Sequence, residues 1–168
     1  MATADTQTAR EVVTEYFDAL AARDPDRAVQ TWKPGGVDDF FGMGELTAPD
    51  DIRAYFSNLF AAIPDWQFEV IDMVTEDDQV AVHWRAAGTF DGTEKLEGFA
   101  PNGRSIEMRG LDVLRVEDGQ IVSNHAYTNA MELARQIGAL PPAGSGQEKA
   151  MAAAFNAKTS LAKRLRRG

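Results

Sequence analysis

The sequence predicts an α+β fold in which helices cover one face of an antiparallel sheet, and three observations carry that prediction. Apolar residues recur at helical spacing through the first third of the chain, two-residue alternation fills the middle, and turn signals separate the alternating runs. Helices first and strands afterwards place the helices together on one side of the sheet.

Thr8 stands three residues before Glu11, the spacing of a capping box, and Val12, Val13, Tyr16, Phe17 and Leu20 follow at helical intervals. Asp24-Pro25 joins an N-cap residue to a proline at the first helical position. The short helix it opens carries Ala28, Val29 and Trp32, and Lys33-Pro34-Gly35-Gly36 breaks it. Residues 37–46 read as irregular. Thr47-Ala48-Pro49-Asp50 starts a longer helix with the stripe Ile52, Tyr55, Phe56, Leu59, Phe60 and Ile63, and Pro64 stops it. Strands are predicted over 67–74, 79–89, 105–116 and 120–127. Between them lie Glu76-Asp77-Asp78, Pro101-Asn102-Gly103 and Glu117-Asp118-Gly119. A closing helix over 131–137 ends at Gly138.

The totals bound the function. A chain of 168 residues fits one domain with a core, and no apolar run nears the roughly 18 residues that a membrane span needs. Residues 1–5 have neither a basic region nor an apolar stretch, so no secretory leader is read and a cytoplasmic protein is expected. Cysteine is absent, which excludes disulfides and thiolate catalysis. The histidines are His83 and His125, with no carboxylate cluster beside them, and Gly35-Gly36 lacks a following Lys-Ser/Thr. No metal, cofactor or phosphate-binding loop is expected.

Charge divides the chain. From Gln147 onward six bases meet one acid, a local +5, so the first 146 residues carry −14 against −9 for the whole. An acidic body does not wrap nucleic acid. Residues 1–140 are expected to form the domain, with a Pro/Gly/Ser linker at 141–147. Residues 148–168 form a basic, weakly amphipathic tail with Met151, Ala154, Phe155, Leu161 and Leu165 on its apolar side. The tail packs on the acidic body, frays in solvent, or docks on a protein partner.

Asp112 stands out because it interrupts an apolar strand between Leu111 and Val113. A buried carboxyl needs hydrogen-bond partners and tends to keep its proton. It is either a functional acid or a structural one bonded to a neighbouring element. Strand alternation sets Trp84 and Met108 on the same face as Asp112, and Asn124 and Thr128 with Ala126. Trp32, Phe40, Phe56, Phe60 and Trp84 are candidate walls for a ring-containing ligand, or ordinary core. His83, Arg85, Arg109 and Arg115 belong to the outer face. His125 and Tyr127 face away as well, so His125 is a catalytic candidate only where a bulge turns it inward.

The order helix, Asp-Pro-Asp elbow, helix and long sheet carries several motifs: Pro64-Asp65-Trp66, Asp77-Asp78-Gln79-Val80-Ala81-Val82, the run from Arg109 to Val122, and Gln136-Ile137-Gly138. Over roughly residues 8–140 the chain resembles the SnoaL-like polyketide cyclases of the nuclear-transport-factor-2-like superfamily. The resemblance implies a cone-shaped, curved antiparallel sheet with helices on its concave face, a homodimer through the outer sheet face, and acid–base chemistry without a cofactor. Leu111-Asp112-Val113-Leu114-Arg115-Val116 is similar to the segment bearing the oxyanion-binding aspartate of ketosteroid isomerases, a worked case of a carboxyl held neutral. Tyr16 then matches their second oxyanion donor, and Asp38 or Asp39 their base, of which Asp39 is preferred. The cyclases' His-Trp-Asp-x-x-Asp run is replaced here: Ala126 and Asn129 stand at its acidic positions.

The leading expectation is a cofactor-independent enzyme acting on a polyketide-like or ring-containing ketone or ester by aldol cyclisation, isomerisation or dehydration. Asp112 and Tyr16 polarise the carbonyl, and Asp39 takes the adjacent proton. The alternatives are a non-catalytic binder of hydrophobic small molecules, or an assembly module recruited through its tail.

Overall fold

The computed structural model describes residues 8–166. Residues 1–5, read as lacking a leader, lie outside the described residues, as do Arg167 of the basic tail and the side chain of Leu165. Helix α1 (Ala9–Ala21) begins with the capping box: Thr8 N donates to Glu11 Oε2 at 2.8 Å, and Glu11 N donates back to Thr8 Oγ1 at 3.3 Å. Asp24 caps α2 (Pro25–Val29) by accepting from Arg27 N. After β1 (Trp32–Phe40) and β2 (Gly44–Thr47) comes α3 (Asp50–Ala62). Strands β3 (Gln67–Glu76), β4 (Gln79–Phe90), β5 (Arg104–Glu117) and β6 (Gln120–Thr128) follow, then α4 (Ala130–Gln136) and α5 (Gly146–Leu165).

The sheet corrects the sequence reading in two respects. It is mixed, because β1 runs parallel to β6 while the other pairings are antiparallel. It is also open. The strand order is β2-β1-β6-β5-β4-β3, so β2 and β3 are free edges with no pairing between them, and the architecture is not the cone-shaped curved antiparallel sheet implied by the resemblance. The first two strands lie where a helix end and an irregular segment are expected. Trp32 opens β1 rather than ending α2. Pro34, Gly35 and Gly36 all argue locally against a strand, but the β1–β6 register passes from Trp32↔Ile121 to Val37↔Ser123. The irregular stretch therefore absorbs a proline with no N–H to contribute.

Alternation builds the core. Val80, Val82, Trp84 and Ala86 of β4, and Ile106, Asp112, Leu114 and Val116 of β5, are buried. Helix α1 lays Val12, Val13, Tyr16, Phe17 and Leu20 across β3 to β6, and α3 adds Ile52, Phe56 and Leu59. Among the described residues no helix is long and apolar enough to cross a membrane.

The tail forms α5, whose start is tied to the body through one side chain. Glu148 accepts from Arg135 Nη2 at 2.7 Å and from Gly144 N at 2.6 Å. Farther along, Met151, Phe155 and Leu161 are exposed. Removing residues 150–168 is therefore expected to leave the thermal midpoint within about 2 °C of the full chain. A fall several times larger in a calorimetric scan would make the tail part of the core.

Candidate functional site

Four elements bring polar side chains together inside this apolar layer. On β5, Asp112 lies opposite Val82 of β4 and Ala126 of β6. Trp84 lies opposite Gly110, and that glycine is a requirement of the site. A Cβ built on Gly110 would stand 2.2 Å from the indole Cζ2 of Trp84. With only hydrogen there, the indole lies across the strand and donates from Nε1 to Asp112 Oδ1 at 2.8 Å. On the other side Asn124 of β6 donates through Nδ2 to Asp112 Oδ2 at 2.8 Å and to Asp38 Oδ1 at 2.9 Å. Asp38 reaches Asn124 because the parallel β1–β6 register sets them side by side. The result is a buried chain, Trp84–Asp112–Asn124–Asp38, in which one amide bridges two carboxyls.

Burial pushes the Asp112 carboxyl up to about 6, against the pull of the Trp84 and Asn124 hydrogen bonds toward the ionised form. Burial, and next the charge of Asp112, holds Asp38 well above the ordinary carboxylate range, opposed by the hydrogen bond from Asn124. Hydrogen-bond bookkeeping locates the proton. Both oxygens of Asp112 already accept from N–H groups, whereas Asp38 Oδ2 has no partner. Asp38 is thus the neutral member and Asp112 the one that ionises.

These shifts carry a stability consequence. Both folded-state values lie above the unfolded ones, so between the ordinary carboxylate range and about 6 the native protein holds a proton that the unfolded chain has released. Their contribution is fully present below the unfolded value and is lost as pH rises through the folded values. Asp38→Asn keeps an acceptor for Asn124 and removes one titrating group. Chemical denaturation is expected to find this variant more stable than the wild type at pH 8, with a smaller difference at pH 5. Equal differences at both pH values would contradict the assignment.

Above the carboxyls lies a cavity walled by Phe40, Phe56, Phe60, Trp84 and Met108, with Thr128 on one side and Asp112 and Tyr16 on its surface. Trp32 and Asn124, read as walls, stand one layer behind: Trp32 packs edge-on against Tyr16 at 5.8 Å, and Asn124 holds the carboxyls. Asp39 and His125 are placed together on the opposite face, Asp39 Oδ2 lying 3.3 Å from His125 Nδ1, both partly exposed. Alternation along β1 turns Asp38 inward and Asp39 outward, and His125 lies beside Asp39 in register. The sequence reading named Asp38 but preferred Asp39, because the choice between them depends on β1 being a strand. It also missed Phe68 and Glu97 as lining residues. Phe68 was legible from alternation in β3, whereas Glu97 lies in a loop with no local signal. Among the described residues no group of three or more histidines and carboxylates is placed to hold a metal ion.

A search of curated proteins finds no significant match. Among solved structures, the chain is similar to AclR, a candidate hydroxylase from Streptomyces galilaeus, at 25% identity and a TM-score of 0.69 over 79% of this chain and 97% of that one. It is similar in fold to a candidate SnoaL-like polyketide cyclase from Jannaschia sp. CCS1, at 22% identity and a TM-score of 0.71 over 84% of this chain and 99% of that one. It is similar in fold also to IdmH, a candidate polyketide cyclase from Streptomyces antibioticus, at 24% identity and a TM-score of 0.62 over 79% and 99%. The sequence profile of the SnoaL-like polyketide cyclases matches residues 10–137, so the chain belongs to that family, within the nuclear-transport-factor-2-like superfamily.

Proposed function

We propose that the protein is a cofactor-independent acid–base enzyme acting on a ring-containing or polyketide-like ketone or ester. The observation that carries this reading is Asp112 at the floor of an aromatic cavity, its carboxyl joined through Asn124 to a second buried carboxyl, Asp38, behind it. Asp112 serves as the base: its carboxylate takes a proton from the carbon next to the substrate carbonyl. The electron pair of that C–H bond moves into the enolate, and the Tyr16 hydroxyl donates to the developing oxyanion. Neutral Asp38 lies behind Tyr16 and keeps a second negative charge away from the enolate. Protonated Asp112 then returns its proton to a different carbon in an isomerisation, to the new alkoxide in an aldol cyclisation, or to a departing hydroxyl in a dehydration.

Purified protein incubated with polyketide methyl esters, steroid enones and terpene epoxides tests this, with products followed by mass spectrometry and deuterium uptake measured in heavy water. Conversion, or exchange at the carbon beside the carbonyl, is expected. Neither conversion nor exchange, together with a copurified ligand, would favour a second reading, a carrier of hydrophobic metabolites. The replacement of the family's acidic positions by Ala126 and Asn129 speaks for that alternative.

A further inference from the structure

The cavity has a carboxyl group at its floor, a second one at its rim and no counter-charge. Asp112 is the floor group, and the rim group is Glu97, which lines the cavity while remaining exposed and so stands where the cavity meets solvent. None of the residues lining the cavity is Lys, Arg or His, and Glu97 enters no ion pair among the described residues.

Glu97 is held in place by its backbone. It adopts a left-handed conformation, φ 49°, in the loop between β4 and β5. On either side Leu96 and Phe99 exchange backbone hydrogen bonds at 3.0 and 2.9 Å, and buried Leu96 anchors the turn in the core. Asn58 of α3 ties the loop down by donating to the Lys95 carbonyl at 2.9 Å. The loop thereby sets Glu97 near Tyr55, whose ring lies 4.9 Å from Phe40 and 5.3 Å from Phe56. The phenol of Tyr55 is pushed up first by burial and next by the charge of Glu97, so that charge is felt inside the cavity wall. A carboxylate beside aromatic faces suits a cation, because the ring quadrupole and the charge attract it together.

We infer that Glu97 is a specificity residue that favours ligands carrying a protonated amine at the end away from Asp112 and disfavours carboxylates and phosphates. This rests on the cavity being the ligand site, as proposed above, and names the substrate class: an aminated ring ketone or ester in place of a free acid.

Three probes of similar shape test it: phenethylammonium, 2-phenylethanol and phenylacetate. Their dissociation constants are measured on the full chain at neutral pH and low salt, through the fluorescence of Trp84 and Trp66, which line the cavity. The cation is expected to bind about fivefold tighter than the alcohol, in line with a partly exposed charge pair, and phenylacetate weakest. In Glu97→Gln the cation and alcohol are expected to converge to within about twofold with the alcohol unchanged. An unaltered cation preference in Glu97→Gln overturns the inference, as does a preference abolished only by Asp112→Asn, which would locate the charge reading at the floor. Failure of all three probes to bind the wild type overturns both this inference and the ligand site beneath it. A cation preference that depends on Glu97, in a protein without turnover, refutes the proposed reaction and leaves the inference standing.

Discussion

Asp112→Asn is expected to lower the turnover of any ketone or ester the protein converts by at least about 100-fold, with little change in KM. The size follows from what a positioned base contributes to proton transfer, about two to four powers of ten in rate. Asparagine keeps the shape of the side chain and an acceptor for the Trp84 indole, and rotation of the Asn124 amide, whose Oδ1 has no partner, offers an acceptor to the new NH2 group, so the pocket should survive while the base does not. The wild-type rate should rise with pH through an apparent value near 6, where Asp112 ionises, and that limb should vanish in the variant. Rates within threefold of wild type, or a pH limb that persists, would remove Asp112 from the chemistry. Tyr16→Phe should cost less, about tenfold or more, since it removes one donor to the oxyanion and no proton acceptor.

The second large effect is expected at a residue with no side chain. Gly110→Ala places a methyl group where the Trp84 indole lies, and a contact of 2.2 Å has to be relieved by moving a large ring in a packed core. Overpacking of this kind costs about 1–3 kcal/mol, measurable as a lower midpoint in urea without a change in slope. The displaced indole also withdraws its hydrogen bond from Asp112, whose carboxyl should then titrate higher, shifting the pH–rate limb upward. Trp84→Phe, with Gly110 intact, separates the two consequences. It removes the donor and should move the same pH limb, without the methyl clash that costs Gly110→Ala its stability. A Gly110→Ala protein with wild-type stability and pH profile would mean that Trp84 is not seated by this glycine.

Patterns that depend on neighbouring residues along the chain were readable in advance. The capping box at Thr8 and Glu11, the stripe from Ile52 to Phe60 and the four later strands all appear near their expected bounds. Asp112 was conspicuous because an acid among alternating apolar residues contradicts its own pattern. Phe56, Phe60 and Trp84 were legible as lining residues because period and parity assign a face before any partner is known, whereas Trp32, read on a helix, lies behind the cavity and Phe40 stood in a segment read as irregular.

What escaped that reading has a common cause. β1 contains proline and two glycines, and β2 is four residues long, so neither has a local preference strong enough to announce a strand. They exist because β6 offers β1 a parallel edge, and β1 in turn offers one to β2. Everything that depends on that pairing was hidden with it: the open, mixed sheet in place of a cone, Asp38 inside rather than Asp39, and the bridging role of Asn124. The residue types, the acidic body, the helical stripes and the alternating strands were determined by the sequence alone, through forces that act within a few residues. Tertiary structure alone decided which of two adjacent aspartates is buried and that one amide binds both carboxyls. Those outcomes turn on contact between segments 86 and 12 residues apart, and sequence spacing carries no register for such contacts.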